Sequence, residues 1–247
     1  MCIIAIYQNG KKPDKTTLDY MIKGNPDGIG VAWNDGREVY FIKGLKTAES
    51  VLNVYERANR DGEVLDFVFH ARIATSGGVS AEKCHPFVVS SNNNILDKTS
   101  GHGRTPVAFH NGIFPITPDN GLNDTQTLIK HCIAPLYERD AKGLQKGKHN
   151  AVITLATRGS RFVLLYPDRL YTFGEWESED GVLYSNSHYK EPKYKYYYND
   201  YYDDIDGGWY GKGNTKTAGG SSYLPAKYRV ADAIKKQNAT ITGASEK

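Results

Sequence analysis

Short apolar runs recur along the chain from Cys2 to Tyr184, bounded by Gly, Asn, Asp or Pro. They are rich in β-branched and aromatic residues, and runs of this length and composition are typical of β-strands. We predict strands at Cys2–Tyr7, Ile29–Trp33, Glu38–Ile42, Leu65–Ile73, Phe87–Ser90, Val107–His110, Ala151–Leu155, Phe162–Tyr166, Leu170–Phe173 and Val182–Tyr184.

Helical spacing of apolar residues is confined to a few segments. It predicts helices at Thr16–Ile22, Ala48–Ala58 and Asp124–Leu136. In the last of these, Asn123 or Asp124 is a suitable N-cap. Cys132 lies on the apolar stripe of this helix, so we expect it in the core. Many strands and few helices favour an α+β fold with largely antiparallel sheets.

The composition changes after His188. Ten of the eighteen tyrosines fall between Tyr189 and Tyr228, followed by Gly-rich and Ser-rich sequence with few aliphatic residues. Such a segment buries too little apolar surface to offset its ordering entropy. We therefore predict a domain over residues 2–189 and a flexible, low-complexity Tyr/Gly-rich tail over 190–247. Two alternatives stay open: the tyrosines cover the domain as an aromatic layer, or Leu224–Ile234 packs as a helix.

Charge and length exclude several classes of protein. The 31 Lys and Arg against 28 Asp and Glu give a net charge of +3, which indicates no polyanionic partner. Aromatic residues mixed with lysine in the tail suit single-stranded nucleic acid. The tail also carries Asp200, Asp203, Asp204 and Asp206, which offset the lysine charges, so we do not expect nucleic acid as a partner. The apolar runs are too short to span a bilayer, so we expect no membrane partner.

The cysteines and histidines show no metal-site spacing, and we expect neither a metal nor a cofactor. Three cysteines without a Cys-x-x-Cys pair are typical of a reducing, cytoplasmic compartment. Cys84 and His85 are adjacent, and neighbouring residues on an extended segment point to opposite faces, so they should not form a catalytic pair. His70 and His110 are expected in the core or in supporting positions.

Cys2 is the first residue with candidate chemistry. Initiator methionine is normally removed before a small second residue, and its removal here leaves a cysteine with a free α-amine. Such an amine has a pKa near 8 and can serve as the base for its own thiol. The alternative is that Cys2 is simply a small apolar residue at the head of a strand.

Further segments along the chain carry polar residues next to predicted strands and helices. In order, these are Asn25-Pro-Asp-Gly28, Arg72-Ile-Ala-Thr-Ser76, His110-Asn-Gly112 and Asn123-Asp-Thr-Gln126. Together with a cysteine at position two, this order resembles the class-II glutamine amidotransferases, the N-terminal-nucleophile hydrolases with a cysteine-dependent glutaminase domain. The likeness runs from Cys2 to about Ser187, since Tyr184-Ser-Asn-Ser187 resembles the strand that closes that domain.

The resemblance implies a role for each matching residue. Cys2 matches the nucleophile, Asn111 and Gly112 match the oxyanion-hole pair, and Arg72 matches the arginine that binds the α-carboxylate of glutamine. Asp124 matches the carboxylate that receives the α-ammonium group. The run containing Thr75 and Ser76 matches a substrate-binding segment in which Ser76 replaces the family's histidine. Asn25-Pro-Asp-Gly28 resembles the family's arginine-glycine-proline-aspartate-glycine turn, and Asn25 departs from that pattern.

These residue types suit glutamine on chemical grounds as well. Its carboxylate, ammonium and neutral amide need an arginine, a carboxylate, and a nucleophile facing hydrogen-bond donors. Taken singly, each motif has another interpretation. Asn111-Gly112 is typical of a hairpin turn, Asp124 of a helix cap, and Arg72 of a structural ion pair.

The resemblance further implies a four-layer αββα sandwich of two antiparallel sheets. It implies hydrolysis of the side-chain amide of glutamine through a Cys2 thioester, giving glutamate and ammonia. The residues leave little length for an ammonia-accepting domain, so a separate synthetase subunit is one candidate partner. The alternative function is an inactive module of the same fold that binds a partner protein or nucleic acid through its Tyr-rich tail.

Overall fold

The computed structural model describes residues 2–73 and 78–190. These residues lie within the first of two compact units, Met1–Lys195. Thr75 and Ser76 fall outside the described residues, as does the chain from residue 191 onward. The predicted domain boundary at residue 189 and the predicted flexible tail therefore stay predictions.

The strands form a seven-stranded and a four-stranded sheet. Every strand pair in the described ranges is antiparallel. The strands are β1 Ile3–Gln8, β2 Gly28–Asn34, β3 Val39–Leu45, β4 Asp66–Arg72, β5 Phe87–Val88, β6 Ser100–Gly103, β7 Val107–Asn111, β8 Arg161–Leu165, β9 Leu170–Phe173, β10 Glu177–Glu179 and β11 Val182–Tyr184. The larger sheet has the order β10-β11-β1-β4-β2-β3-β6, and the smaller has the order β5-β7-β8-β9.

Helices cover the outer faces of both sheets. They are α1 Lys15–Gly24, α2 Ala48–Ala58, α3 Asn93–Leu96, α4 Asp124–Leu128, α5 Ala134–Gln145 and α6 Asn150–Ala156. A π-helical turn at Ile129–Ile133 joins α4 to α5, and 3₁₀ turns lie at Ala81–Lys83 and Ser187–Tyr189.

Three apolar clusters show how the layers pack. One lies between α1, α2 and the larger sheet, with Leu18 and Val51 against Phe69. The second lies between the two sheets. The third lies between the smaller sheet and α4 to α6, where Phe162 and Ile129 are fully buried. The structure thus confirms the predicted sandwich of two antiparallel sheets between helical layers.

Strand β1 sits in the middle of the larger sheet, between β11 and β4. Its side chains alternate between two buried faces, as the period of a strand requires. Ile3, Ala5 and Tyr7 pack toward α1 and α2, whereas Ile4 and Ile6 pack against the other sheet. Full burial of each isoleucine side chain stabilises the fold by about 1.5–3 kcal/mol. Strand β1, which begins after Cys2, is therefore paired along both edges and packed on both faces.

The predicted strand at Ala151–Leu155 is wrong, because this segment forms α6. Its β-branched residues favour a strand by composition, but the buried positions are Ile153 and Thr157, which are four residues apart. Val152 and Leu155 are exposed. A single helical face packed on the sheet therefore overrides the local preference.

Cys132 is exposed rather than in the core. The π-helical turn adds residues to one turn of the helix, which rotates the following side chains relative to a regular α-helix. Ile129 and Ile133 take the buried positions instead, and both are fully buried or nearly so.

Candidate active site

Cys2 precedes the pairing of β1 with β4. Because Ile3 pairs with Ala71, Cys2 lies at the end of β4 where Arg72 is found. Its Sγ accepts a hydrogen bond from the backbone N–H of Ile73 at 3.4 Å. Asn186 Nδ2 donates to the Cys2 carbonyl oxygen at 2.8 Å, which fixes the backbone. Burial raises the pKa of the Cys2 thiol, so the thiol needs a base to become a nucleophile near neutral pH.

Arg72 ends β4 and is almost fully buried. Its backbone pairs with Gly28, and its carbonyl oxygen accepts from the Asp27 N–H at 3.0 Å. Its guanidinium donates to the carbonyl oxygen of Gly78 at 2.8 Å. The turn before β2 and the segment after β4 thereby hold this cation beside Cys2, where its charge opposes the effect of burial on the thiol pKa.

Asn111 is the last residue of β7, in the other sheet, and is buried. Its Nδ2 donates to Ser185 Oγ at 2.8 Å. The same hydroxyl oxygen accepts from the backbone N–H of Ile4 at 2.8 Å. Ser185 therefore joins the end of β7 to the start of β1, two residues after Cys2.

Gly112 follows with a φ of +156°, a conformation that L side chains rarely adopt. A Cβ at this position would lie 2.3 Å from Ser160 Oγ and 2.9 Å from His110 Nε2. The backbone thus approaches its neighbours too closely for any residue with a side chain. This explains glycine here without reference to a hairpin turn, because β7 is followed by a long connection to α4.

Asp124 lies at the start of α4, but it is not the helix cap. Asn123 caps the helix and forms a capping box with Gln126. One oxygen of the Asp124 carboxylate accepts from the backbone N–H of Phe114 at 2.9 Å. The other accepts from the N–H of Thr125 at 2.8 Å. Asp124 therefore contacts the segment that follows Gly112.

The start of α4 is also held from the opposite side. Lys83 Nζ lies 3.1 Å from Asp97 Oδ1 and donates to Gln126 Oε1 at 3.1 Å. Gln126 Nε2 donates to the same Asp97 oxygen at 2.8 Å. This partly buried network ties the capping box of α4 to the turn at Ala81–Lys83 and so helps to position Asp124.

The structure brings Cys2, Arg72 and Asn111 to one end of the paired strands, with Gly112 directly after Asn111. Asp124 joins this group through the Phe114 N–H. Thr75 and Ser76 lie in the segment outside the described residues, so their predicted roles stay predictions.

Sequence reasoning missed the roles of Ser185 and Asn186. Both belong to Tyr184-Ser-Asn-Ser187, a segment noticed only as the end of the domain. Their hydrogen-bond partners, Ile4 and Cys2, lie more than 180 positions earlier in the chain. The sequence feature that indicates such contacts is the run of small polar residues directly after an apolar strand.

Cys84 and His85 contact different partners, as predicted for neighbours on an extended segment. Cys84 Sγ lies 3.5 Å from the Ser80 carbonyl oxygen. The His85 ring packs instead on His70, with ring centroids 4.3 Å apart. His70 and His110 are both buried, and His110 Nδ1 lies 2.8 Å from Thr125 Oγ1. His110 is thus a support between β7 and α4.

Within residues 2–73 and 78–190, no group of three His, Cys, Asp or Glu side chains is arranged to hold a metal ion. No helix in those ranges is long and apolar enough to cross a membrane.

No family model matches the sequence. Amidophosphoribosyltransferase from Methanocaldococcus jannaschii is 32% identical over 65 residues, which is 26% of this chain and 13% of that protein. The chain spans only a small part of this relative.

Two solved structures are also similar. Glutamine phosphoribosylpyrophosphate amidotransferase from B. subtilis, complexed with ADP and GMP, gives a TM-score of 0.46 at 14% identity, covering 74% of this chain and 41% of that one. A glutamine aminotransferase class-II domain protein from Silicibacter pomeroyi gives 0.36 at 16% identity, covering 75% of this chain and 88% of that one.

Proposed function

We propose that this chain is a glutamine amidotransferase-type amide hydrolase with Cys2 as its nucleophile. The observation that carries the proposal is the meeting of Cys2, Arg72 and Asn111 at one end of β1, β4 and β7. Three elements far apart in sequence supply a nucleophile, a cation for a carboxylate, and an amide donor. The resemblance of the motifs to class-II enzymes supports the same conclusion.

In the proposed reaction, removal of Met1 frees the α-amine of Cys2. This amine accepts the thiol proton, and the thiolate sulfur forms a bond to the side-chain amide carbon of glutamine. The tetrahedral intermediate then breaks its C–N bond, and the proton passes to the leaving ammonia. Water attacks the resulting γ-glutamyl thioester, which releases glutamate and restores the thiol.

Asn111 and Gly112 would stabilise the intermediate. Asn111 Nδ2 carries two hydrogens, and Ser185 takes one of them, so the second is available for an oxyanion. The backbone N–H of Gly112 is the other proposed donor. Loss of one such donor typically lowers turnover by ~10²–10³-fold.

Arg72 and Asp124 are proposed to bind the α-carboxylate and α-ammonium groups, and Thr75 and Ser76 to line the substrate site. These substrate groups do not change during the reaction. Arg72→Ala and Asp124→Ala should therefore raise KM more than they lower kcat, whereas Asn111→Ala should lower kcat. The opposite pattern for Asn111→Ala would contradict its role.

The deciding experiment measures ammonia release from glutamine together with the intact mass of the protein. We expect active protein to lack Met1, and Cys2→Ala to be inactive but folded. Cys84→Ala and Cys132→Ala are the matched controls and should stay active. A diazoketone analogue of glutamine should add to residue 2, and labelling of Cys84 instead would overturn the assignment.

The fate of the ammonia is a separate part of the proposal. It either passes to a synthetase subunit or is released by a stand-alone glutaminase. Glutamate formation that accelerates upon addition of a partner favours the first. The alternative of an inactive binding module predicts no ammonia release even from protein lacking Met1.

A further inference from the structure

A cavity of about 370 Å³ lies between two hairpin turns and helix α5. Its walls come from Gly36 and Arg37 in the β2–β3 turn, from Arg104, and from Tyr166 to Asp168 in the β8–β9 turn. Helix α5 contributes Tyr137, Lys142 and Gln145. We call this the hairpin cavity. Its volume is in the range of sites that bind small molecules.

The hairpin cavity lies at the opposite end of the strands from Cys2. Gly28, at the start of β2, pairs with Arg72, and Asn34 ends the strand before Gly36. The six steps along β2 span about 20 Å at ~3.3 Å per residue. Likewise, β8 begins opposite Asn111 and ends at Leu165, next to Tyr166. A ligand here is therefore separate from the proposed glutamine site.

The charge of the hairpin cavity is positive. Arg37, Arg104 and Lys142 line it, and in the part of the chain that the structure describes none of them lies within 4.0 Å of a carboxylate oxygen. The acidic lining residue, Asp168, is already engaged by Arg169 at 2.8 Å. Among the described residues that line the cavity, three cations therefore outnumber the one acid.

Hydrogen bonds between the walls hold the cavity in shape. Gly36 N–H donates to the Pro167 carbonyl oxygen at 2.8 Å, and Asn34 Nδ2 donates to that of Tyr166 at 2.8 Å. Gln145 Nε2 donates to Asp168 Oδ1 at 2.9 Å. These bonds join both turns to α5. The cavity walls are therefore already ordered, and ligand binding loses little conformational entropy.

Tyr137 of α5 adds an aromatic surface to the cavity and is half-buried. Tyr166 also lines the cavity, but its side chain is almost fully buried in the apolar cluster beneath it.

We propose that the hairpin cavity binds a small phosphate monoester that carries a flat ring. Arginine guanidinium groups match the oxygens of a phosphate, and Lys142 adds a further charge. The Tyr137 ring offers a face for the organic part of the ligand. The proposal does not depend on glutamine hydrolysis.

Calorimetric titration of the full-length protein with phenyl phosphate, phenol and inorganic phosphate tests it. We expect saturable binding of phenyl phosphate, weaker binding of inorganic phosphate and none of phenol. Arg37→Ala and Arg104→Ala should each weaken phenyl phosphate binding about 10-fold, which is the loss of one charge-assisted hydrogen bond. Arg139→Ala, an exposed arginine of α5 outside the cavity lining, should bind as the parent does.

The Tyr137→Leu variant tests the contribution of the ligand's ring separately from that of its phosphate. It should bring phenyl phosphate binding down to that of inorganic phosphate, while inorganic phosphate binding stays unchanged. Equal binding by Arg37→Ala, Arg104→Ala and Arg139→Ala, or no saturable binding by the parent, would overturn the proposal. Ammonia release by Arg37→Ala should equal that of the parent protein. The binding test of the cavity and the activity test of the glutaminase proposal can therefore fail independently of each other.

Discussion

Asn111 Nδ2 donates a hydrogen bond of 2.8 Å to Ser185 Oγ, 74 positions later in the chain. Ser185 Oγ also accepts from Ile4 N–H, so both of its acceptor sites are in use. One hydroxyl therefore sets the orientation of the proposed oxyanion donor and the start of the strand that follows Cys2. The two sheets meet at the site through this atom.

Ser185→Ala should lower kcat for glutamine hydrolysis about 10-fold, with a smaller change in KM. The substitution leaves the Ile4 N–H and the Asn111 amide without an acceptor, and each buried unpaired donor costs about 1–3 kcal/mol. The free energy of unfolding should fall as well. Ser187→Ala, at an exposed position two residues later, is the matched control for both assays and should behave as the parent.

Gly112→Ala should abolish turnover and destabilise the protein. The added Cβ would lie 2.3 Å from Ser160 Oγ and 2.8 Å from Ser160 Cβ, at a φ of +156°. Steady-state kinetics and urea unfolding measure the two effects. Gly24→Ala is the control, since a Cβ there meets nothing within 4 Å.

The double variant Gly112→Ala/Ser160→Gly removes both close Ser160 atoms. It should recover part of the lost stability but little activity, because the strained φ and the contact with His110 Nε2 remain. Full activity in Gly112→Ala alone would show that the backbone at this position does not contact the reacting group.

Most of the sandwich follows from the sequence because burial on a strand face leaves a two-residue pattern. Ile4 and Ile6 alternate with Ile3 and Ala5 in this way. The same reasoning gives the wrong answer for α6, because its β-branched composition favours a strand. The segment is helical because its buried residues, Ile153 and Thr157, lie one helical turn apart. The short strands Ser100–Gly103 and Glu177–Glu179 carry polar residues and are defined by pairing alone.

For the candidate site, the order of motifs and its resemblance to class-II amidotransferases propose Cys2, Arg72, Asn111, Gly112 and Asp124, and their roles stay predictions. That order does not select Ser185, because a serine leaves no trace of its partners until β11 is placed beside β1. The sequence makes both Asn123 and Asp124 candidate caps, and the hydrogen bond from the Gln126 N–H to Asn123 Oδ1 at 2.8 Å assigns the cap to Asn123.

Stability should decrease below pH 6.5 because of buried histidines. Burial lowers the pKa of His70 to about 3 and that of His110 to about 3, and it lowers the pKa of His85 in the same direction. The histidines face one another, and the charges of Arg72 and Lys43 further disfavour protonation of His85. In the unfolded chain each has a pKa near 6.5.

The unfolded state therefore binds more protons than the folded state between pH 6.5 and about 3. The free energy of unfolding should fall by up to ~1.4 kcal/mol per pH unit for each histidine as the pH decreases through this range. Urea unfolding at pH 7, 6 and 5 measures the slope. His70→Leu should reduce it, whereas replacement of the exposed His188 by Gln should not. Equal stability at pH 7 and pH 5 would contradict the prediction.

The last prediction concerns where the folded domain ends. Tyr189 is buried and stacks on Tyr184, with ring centroids 3.6 Å apart. Its hydroxyl donates to Glu179 at 2.5 Å, and Lys190 Nζ lies 2.9 Å from the same carboxylate. The apolar clusters of the described sandwich include Tyr189 as their last residue in the chain.

Truncation after Lys190 should therefore lower Tm by less than about 4 °C, the shift that ~1 kcal/mol produces in a domain of this size. Truncation after His188 should lower it further, because loss of a buried aromatic side chain costs about 3–5 kcal/mol. Differential scanning calorimetry of both truncated proteins, with Tyr189→Ala in the full-length chain as a control, makes the comparison. If both truncations lower Tm equally and by more than about 8 °C, residues beyond Lys190 are part of the fold, and the predicted boundary is wrong. If only the shorter protein is destabilised, Tyr189 closes the sandwich, and the longer one should hydrolyse glutamine at the parental rate.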